Sequence, residues 1–166
     1  MEQEDHVSRI LAQWAAVRPD LDVSPMGIIG RLSRLSLIVQ RELMPVFAQS
    51  DLNHWSFDVL ATLYRAGAPH RLSPTELFRS LMVTSGTKTN RIDRLEEKGL
   101  VRRVPDPEDR RGILVELTEH GHQIIDSLLA SHIANEARLL QPLSQEERQT
   151  LDTLLSKWLT SLEHNL

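Results

Sequence analysis

The chain has 166 residues, room for one domain or one domain with helical extensions. Its 40% hydrophobic and 25% charged residues exclude a disordered or collagen-like chain. The absence of cysteine excludes disulfides, thiolate metal sites and a cysteine nucleophile, and a net charge of -4 argues against indiscriminate binding to polyanions.

Val7 to Val17 reads as a short helix, broken at Arg18-Pro19-Asp20. From Ser24 the residues Ile28, Leu32, Leu35, Val39 and Leu43 recur at spacings of three and four, one stripe of a long helix. Pro25 suits its first turn, and Pro45 should end or kink it. Asn53 caps a helix running to about Ala66, where Gly67 stops it. Arg71-Leu72 is a very short extended link. Ser73-Pro74-Thr75-Glu76 is a capping box that opens a short helix to about Leu81. Thr84-Ser85-Gly86 makes a turn, and a further helix runs to Lys98, closed by Gly99. Two strands follow, Leu100 to Val104 and Ile113 to Leu117, joined by the charged stretch Pro105 to Gly112. Thr118 caps a long helix marked by Ile124, Leu128, Ile133 and Leu140 and stopped by Pro142. The capping box Ser144 to Glu147 opens a last amphipathic helix with Leu151, Leu154, Leu155, Trp158 and Leu162.

Helix, short strand, helix, turn, helix, strand, charged loop, strand is the order of a winged helix-turn-helix. The expected fold is therefore mainly α with a small β-hairpin wing, flanked by terminal dimerisation helices. Residues 1–50 supply N-terminal helices to a dimerisation base, 51–117 form the DNA-binding lobe, and 118–166 supply the C-terminal dimerisation helices. The terminal stripes are too wide for so short a chain to cover, so an isologous homodimer is expected; a monomeric bundle would leave the middle segment unexplained. Charge supports the division. Arg71 to Arg111 holds ten Lys/Arg against seven Asp/Glu, a balance of +3, while the remainder balances at -7. A basic middle between acidic flanks suits a chain that meets phosphates with one part only.

On a helical wheel Ile92 and Leu95 face inward, and Thr87, Asn90 and Arg94 face the opposite way. Asparagine suits adenine edges, arginine suits guanine or phosphate, and a threonine methyl suits thymine. Ser85, in the turn before the helix, joins them as a DNA-facing residue. Asp109, Arg110 and Arg111 at the hairpin tip read as a clamp beside the recognition helix. Lys88 falls on the inward face, where it either snorkels to water or helps hold an anion in the cleft beneath. An enzyme is the rival class, but no glycine-rich phosphate loop, nucleophile elbow or zinc-protease motif occurs, and no cofactor is expected. His120 and His122 alone make a weak metal pair. A winged-helix module that binds only proteins is the other rival. No apolar run reaches the ~20 residues of a membrane span, and the acidic Met1 to His6 does not look like a secretion signal, so a cytoplasmic protein without a membrane partner is expected.

Several segments together resemble the MarR family of bacterial transcription regulators: Thr84 to Glu96, Gly99-Leu100-Val101, Asp106 to Arg111, and Leu117-Thr118-Glu119-His120-Gly121. Trp14 with Arg18-Pro19-Asp20-Leu21-Asp22 resembles its PecS- and HucR-like, urate-responsive branch. The resemblance implies a homodimer on a palindromic double-stranded DNA operator, usually a repressor, released by a small aromatic anion. It also implies that Asp109 braces Arg111 for the minor groove, with Arg110 a phosphate contact beside it. Members often carry an apolar residue where Lys88 stands. By the same resemblance Trp14, Asp58, Arg91 and Arg103 bind or transmit a ligand such as urate; a phenolic acid or an antibiotic-like aromatic remains open. Each has a bland alternative: Trp14 in the core, Asp58 solvated, Arg91 on a phosphate, Arg103 facing water. The charge logic is that two arginines attract the anion, the tryptophan stacks on it, and the aspartate repels or hydrogen-bonds it. Ligand and DNA would then weaken each other by one factor.

Overall fold

A computed structural model describes residues 4–82 and 88–164, with the backbone alone at 88–90. The described elements are α1 (His6–Val17), α2 (Ser24–Ala48), α3 (His54–Arg65), β1 (Arg71–Leu72), α4 (Pro74–Ser80), α5 (Lys88–Glu97), β2 (Val101–Pro105), β3 (Ile113–Leu117), α6 (Glu119–Leu139) and α7 (Gln145–Glu163). They fall into two compact units, Met1–Met44 and Pro45–Leu166.

In the first unit Asp5 caps α1 by accepting the Ser8 amide at 2.8 Å. Arg31 of α2 donates to the same carboxylate at 2.8 Å and to the Ser8 hydroxyl at 2.8 Å. The Ser8 amide, then Arg31, hold the Asp5 carboxyl down at about 2. Two glycines let the helices close up: a Cβ at Gly27 would stand 3.1 Å from Leu11, and one at Gly30 3.3 Å from Val7. The predicted α2 stripe is only partly covered, since Leu43 is buried but Ile28, Leu32 and Leu35 are exposed.

Pro45 does not end α2, which runs on to Ala48. Proline removes one helical amide bond, but Phe47 is fully buried and holds the last turn in place. Its ring stacks on Phe57 at 4.7 Å and on His54 at 5.6 Å, and meets His132 at 5.4 Å. From there the core continues through Val59, Leu60 and Leu63 of α3, Leu77 of α4 and Ile125 of α6, all fully buried.

In the second unit the starts of α3, α4, α6 and α7 are fixed by their predicted caps, while the predicted cap of α5 lies outside the described residues. Asn53 accepts from Ser56 N, Ser73 and Ser144 form reciprocal capping boxes with Glu76 and Glu147, and Thr118 accepts from Gly121 N. Gly67 and Gly99 end α3 and α5 at φ +78° and +66°, where a side chain would be strained. The hairpin is part of a three-stranded antiparallel sheet in the order β1-β3-β2. Arg71-Leu72, expected as a very short extended link outside the hairpin, is its third strand, because Arg71 pairs with Glu116 and Leu72 with Val115. Arg102 also pairs with Glu116, so that one carboxylate meets an arginine from each side. The last helix, α7, contains no buried residue.

Candidate nucleic-acid interface

The recognition helix α5 has little apolar surface to anchor it. Among its described side chains Ile92 and Leu95 are buried, at 3% and 1% exposure, while Arg94 on the opposite side is exposed. The predicted inward and outward faces are thus observed at these three positions. Ser85 and Thr87 lie outside the described residues. Lys88 and Asn90 occupy the first turn of α5, and their side chains lie outside the description.

Polar contacts do the rest of the anchoring. At the entry to the turn, Asp58 of α3 accepts the Met82 amide at 2.8 Å. Asp58 is buried, at 5% exposure, so its solvated alternative is ruled out. Arg91 lies 5.2 Å from the ring centroid of Trp55 on α3, a cation–π contact. Lys98, past the helix end, donates to the Asp51 carboxylate at 2.7 Å.

Arg103 of β2 makes the densest contact. Its Nη2 donates to Asp93 Oδ1 at 2.5 Å, its Nη1 donates to Glu96 Oε2, and its backbone amide donates to Glu96 Oε1 at 2.8 Å. Asp93 above all, then Glu96, hold the Arg103 guanidinium above its ordinary value against the opposing effect of burial. The water-facing alternative for Arg103 is therefore wrong. Three of the residues singled out for a ligand, Asp58, Arg91 and Arg103, are tethers of the recognition helix or its turn.

The wing is built by its own side chains. Asp106 accepts the Glu108 amide at 2.9 Å, and Asp109 accepts the Arg111 amide at 2.9 Å. The loop closes with Asp106 N donating to Gly112 O at 3.0 Å. Asp109 thus fixes the backbone that carries Arg111. Both Arg110 and Arg111 are exposed. Among the described residues no ion pair engages Arg94, Arg110 or Arg111.

Trp14 belongs to the first unit and is 42% exposed, not core. His122 packs against Tyr64 at 5.0 Å and against His70 at 5.1 Å. Among the described residues no group of three or more His, Asp or Glu is placed to hold a metal ion, and no helix is long and apolar enough to cross a membrane. Sequence reasoning missed Asp93, Glu96 and Trp55. The signal was present for the acids: they sit at i and i+3 on α5, one turn from the basic strand that follows Gly99.

A short helix followed by a polar second helix, with a charged hairpin on a three-stranded sheet, defines the winged helix-turn-helix class. The MarR family pattern matches residues 52–113. The HTH-type transcriptional regulator PecS of Dickeya dadantii is 45% identical over 151 residues, 91% of this chain and 91% of that protein. The multiple antibiotic resistance protein MarR of Escherichia coli is 37% identical over 64% of this chain and 73% of its own. A mutant E. coli MarR solved in complex with operator DNA superposes with a TM-score of 0.71 at 32% identity, covering 84% of this chain and 99% of that one. The chain belongs to the MarR family of transcriptional regulators.

Proposed function

We propose that this chain is a homodimer that binds a palindromic double-stranded DNA operator in the cytoplasm. It represses transcription until a small aromatic anion, urate first, releases it. The observation that carries the DNA half is the set of exposed cations Arg94, Arg110 and Arg111, on the recognition helix and the wing tip, without ion-pair partners among the described residues. Such cations gain most by meeting phosphates or base edges. Likeness to a MarR solved on operator DNA supports the same reading. In it Ser85, Thr87, Asn90 and Arg94 face the major groove, and Asp109 presents Arg111 to the minor groove beside Arg110.

The dimer is supported by α7, where Leu151, Leu154, Leu155, Leu159 and Leu162 are all at least 40% exposed. A row of that kind on a folded chain marks an interaction face. The helices of residues 1–50 and 118–166 then form the dimer base, and 51–117 the DNA-binding lobe. Trp14, Asp58, Lys88, Arg91 and Arg103 serve the ligand. Their support is the resemblance to the PecS-like branch and the fact that three of them tether α5 or its turn. Loading such a residue with an anion changes the helix that meets DNA.

The test is fluorescence anisotropy on a duplex selected by the protein from random sequence. Affinity should fall steeply with salt, because bound phosphates release counterions. Urate should lower it further. Salt-independent association, or none, would leave a module that binds only proteins. Release by phenolic or antibiotic-like aromatics but not by urate would move the ligand class, as the 37% identity to the multiple antibiotic resistance protein MarR allows.

A further inference from the structure

We infer that Asp93 and Glu96 are the internal counter-ligand of Arg103: they fasten α5 to β2, and an anion that reaches Arg103 must first displace them. The ligand part of this inference rests on the reading of Arg103 proposed above; the fastening part does not. Every observation lies within one compact unit. The guanidinium of Arg103 is spread over two carboxylates, from residues three apart on α5. Glu96 holds the side chain through one oxygen and the backbone amide of the same arginine through the other. The arginine is thus fixed in position and orientation as well as in charge. Side-chain exposures of 28% for Arg103 and 36% for Glu96 leave the contact half-screened from water, so an incoming anion can compete for it.

The consequences are specific. With the clasp closed, Arg103 is already neutralised and attracts a small anion weakly. An anion that wins it frees two carboxylates on the recognition helix. Their charge is then uncompensated beside a polyanion, and the attachment of α5 to β2 is reduced to the bond from the Arg103 backbone amide to Glu96. Asp93 and Glu96 would therefore set both the stiffness of α5 and the ligand threshold, as positioning residues that need not touch the ligand. They tune affinity by a penalty paid before binding.

Glu96→Gln keeps shape and loses charge. Urate affinity is measured by calorimetry on the DNA-free protein, so that any change in DNA affinity does not enter, and α5 amide exchange is followed without ligand. Relative to wild type, Glu96→Gln should bind urate about five- to tenfold more tightly, the loss of one charge-assisted hydrogen bond from the competing clasp. Its α5 amides should exchange faster, and Arg103→Ala should show the same faster exchange with no urate binding. Unchanged urate affinity in Glu96→Gln, with binding lost in Arg103→Ala, overturns the competition while leaving Arg103 as ligand residue. Urate binding that survives Arg103→Ala overturns the ligand role of Arg103 itself. If urate binds neither wild type nor Glu96→Gln, the competition fails, and α5 exchange alone tests the fastening. Unchanged exchange in both variants overturns that too.

Discussion

Gly121 sits in the first turn of α6, directly after the wing, and replacing it with alanine should cripple the DNA-binding lobe. A Cβ there would lie 2.0 Å from the carbonyl oxygen of Leu100, 2.9 Å from its carbonyl carbon and 3.1 Å from Leu117 Cδ2. The oxygen contact is about 1 Å inside the closest separation that packed atoms reach. The obstacle is backbone, so no rotamer change relieves it. Nor is the oxygen free to move, because it accepts the Thr118 amide at 3.2 Å. The Thr118 hydroxyl in turn donates to Gly99 O at 2.6 Å, one residue earlier in the same turn. Alanine gains about 1 kcal/mol of helix propensity over glycine. Overpacking against fixed backbone costs more, so a net loss of about 3 kcal/mol is expected. At fixed protomer concentration that corresponds to a Tm lower by about 6–12 °C in differential scanning calorimetry. Gly30→Ala is the matched control. Its Cβ would meet only the Val7 side chain, at 3.3 Å, a contact that a shift of a few tenths of an ångström between the two helices relieves. The same gain in propensity should leave its Tm unchanged or slightly raised. A Gly121→Ala protein melting within 2 °C of wild type would show that α6 shifts cheaply and refute the packing reasoning.

Arg94→Ala and Arg111→Ala should each weaken operator binding by about 1–3 kcal/mol, and Arg111→Ala should do so on all sequences; anisotropy that leaves both at wild-type affinity rejects the docking. Asp58→Ala removes the acceptor of the Met82 amide and should lower DNA affinity and stability together, by about 1–3 kcal/mol in stability, whereas Asp58→Asn keeps an acceptor and should stay near wild type in urea melts. Leu154→Glu with Leu159→Glu should yield monomers by sedimentation at micromolar concentration; a persistent dimer would place the interface elsewhere. The folded-state carboxyl of Asp5 is lowered, so its stabilisation is complete above the ordinary value of 3.8 and is lost as pH falls towards about 2. An NMR titration of Asp5 with its midpoint near 3.8 would mean that the Ser8 and Arg31 contacts do not form in solution.

The elements were legible because their ends carry their own chemistry. Asn53, Ser73, Thr118 and Ser144 cap as their types demand, and Gly67 and Gly99 stop helices where a positive φ is needed. Of the two outcomes expected at Pro45, an end to the helix does not occur, because a local rule met a tertiary one: the buried Phe47 keeps the helix going past a lost hydrogen bond. Arg71-Leu72 was legible as a short extended segment, but its pairing with β3 was not, since two residues have no period to show a buried face. Charge at the interface was legible from type and spacing, as Arg94 and the wing tip show. Partnership was not. Nothing in the string says that Arg103 is claimed by Asp93 and Glu96, or that Arg91 lies over Trp55, because those contacts need the turn at Gly99 and the packing of α5 on α3.

That division between readable charge and unreadable partnership bears on how the helix is controlled. Of the described α5 side chains only Ile92 and Leu95 are buried, and each is worth about 1.5–3 kcal/mol of apolar burial. Polar tethers, individually smaller, act in addition: Asp58 on the Met82 amide, Arg91 on Trp55, Arg103 on two carboxylates, and the exposed pair of Lys98 with Asp51. Apolar burial is non-directional and offers an anion nothing to grip. A tether made of charge and hydrogen bonds can be exchanged for another partner of the same chemistry. A recognition helix held in part by such tethers offers a small charged molecule contacts it can exchange. An α5 anchored instead by four or five buried leucines would offer a small anion no contact to exchange. Asp58, Arg91 and Arg103, proposed above as ligand residues, are among these tethers.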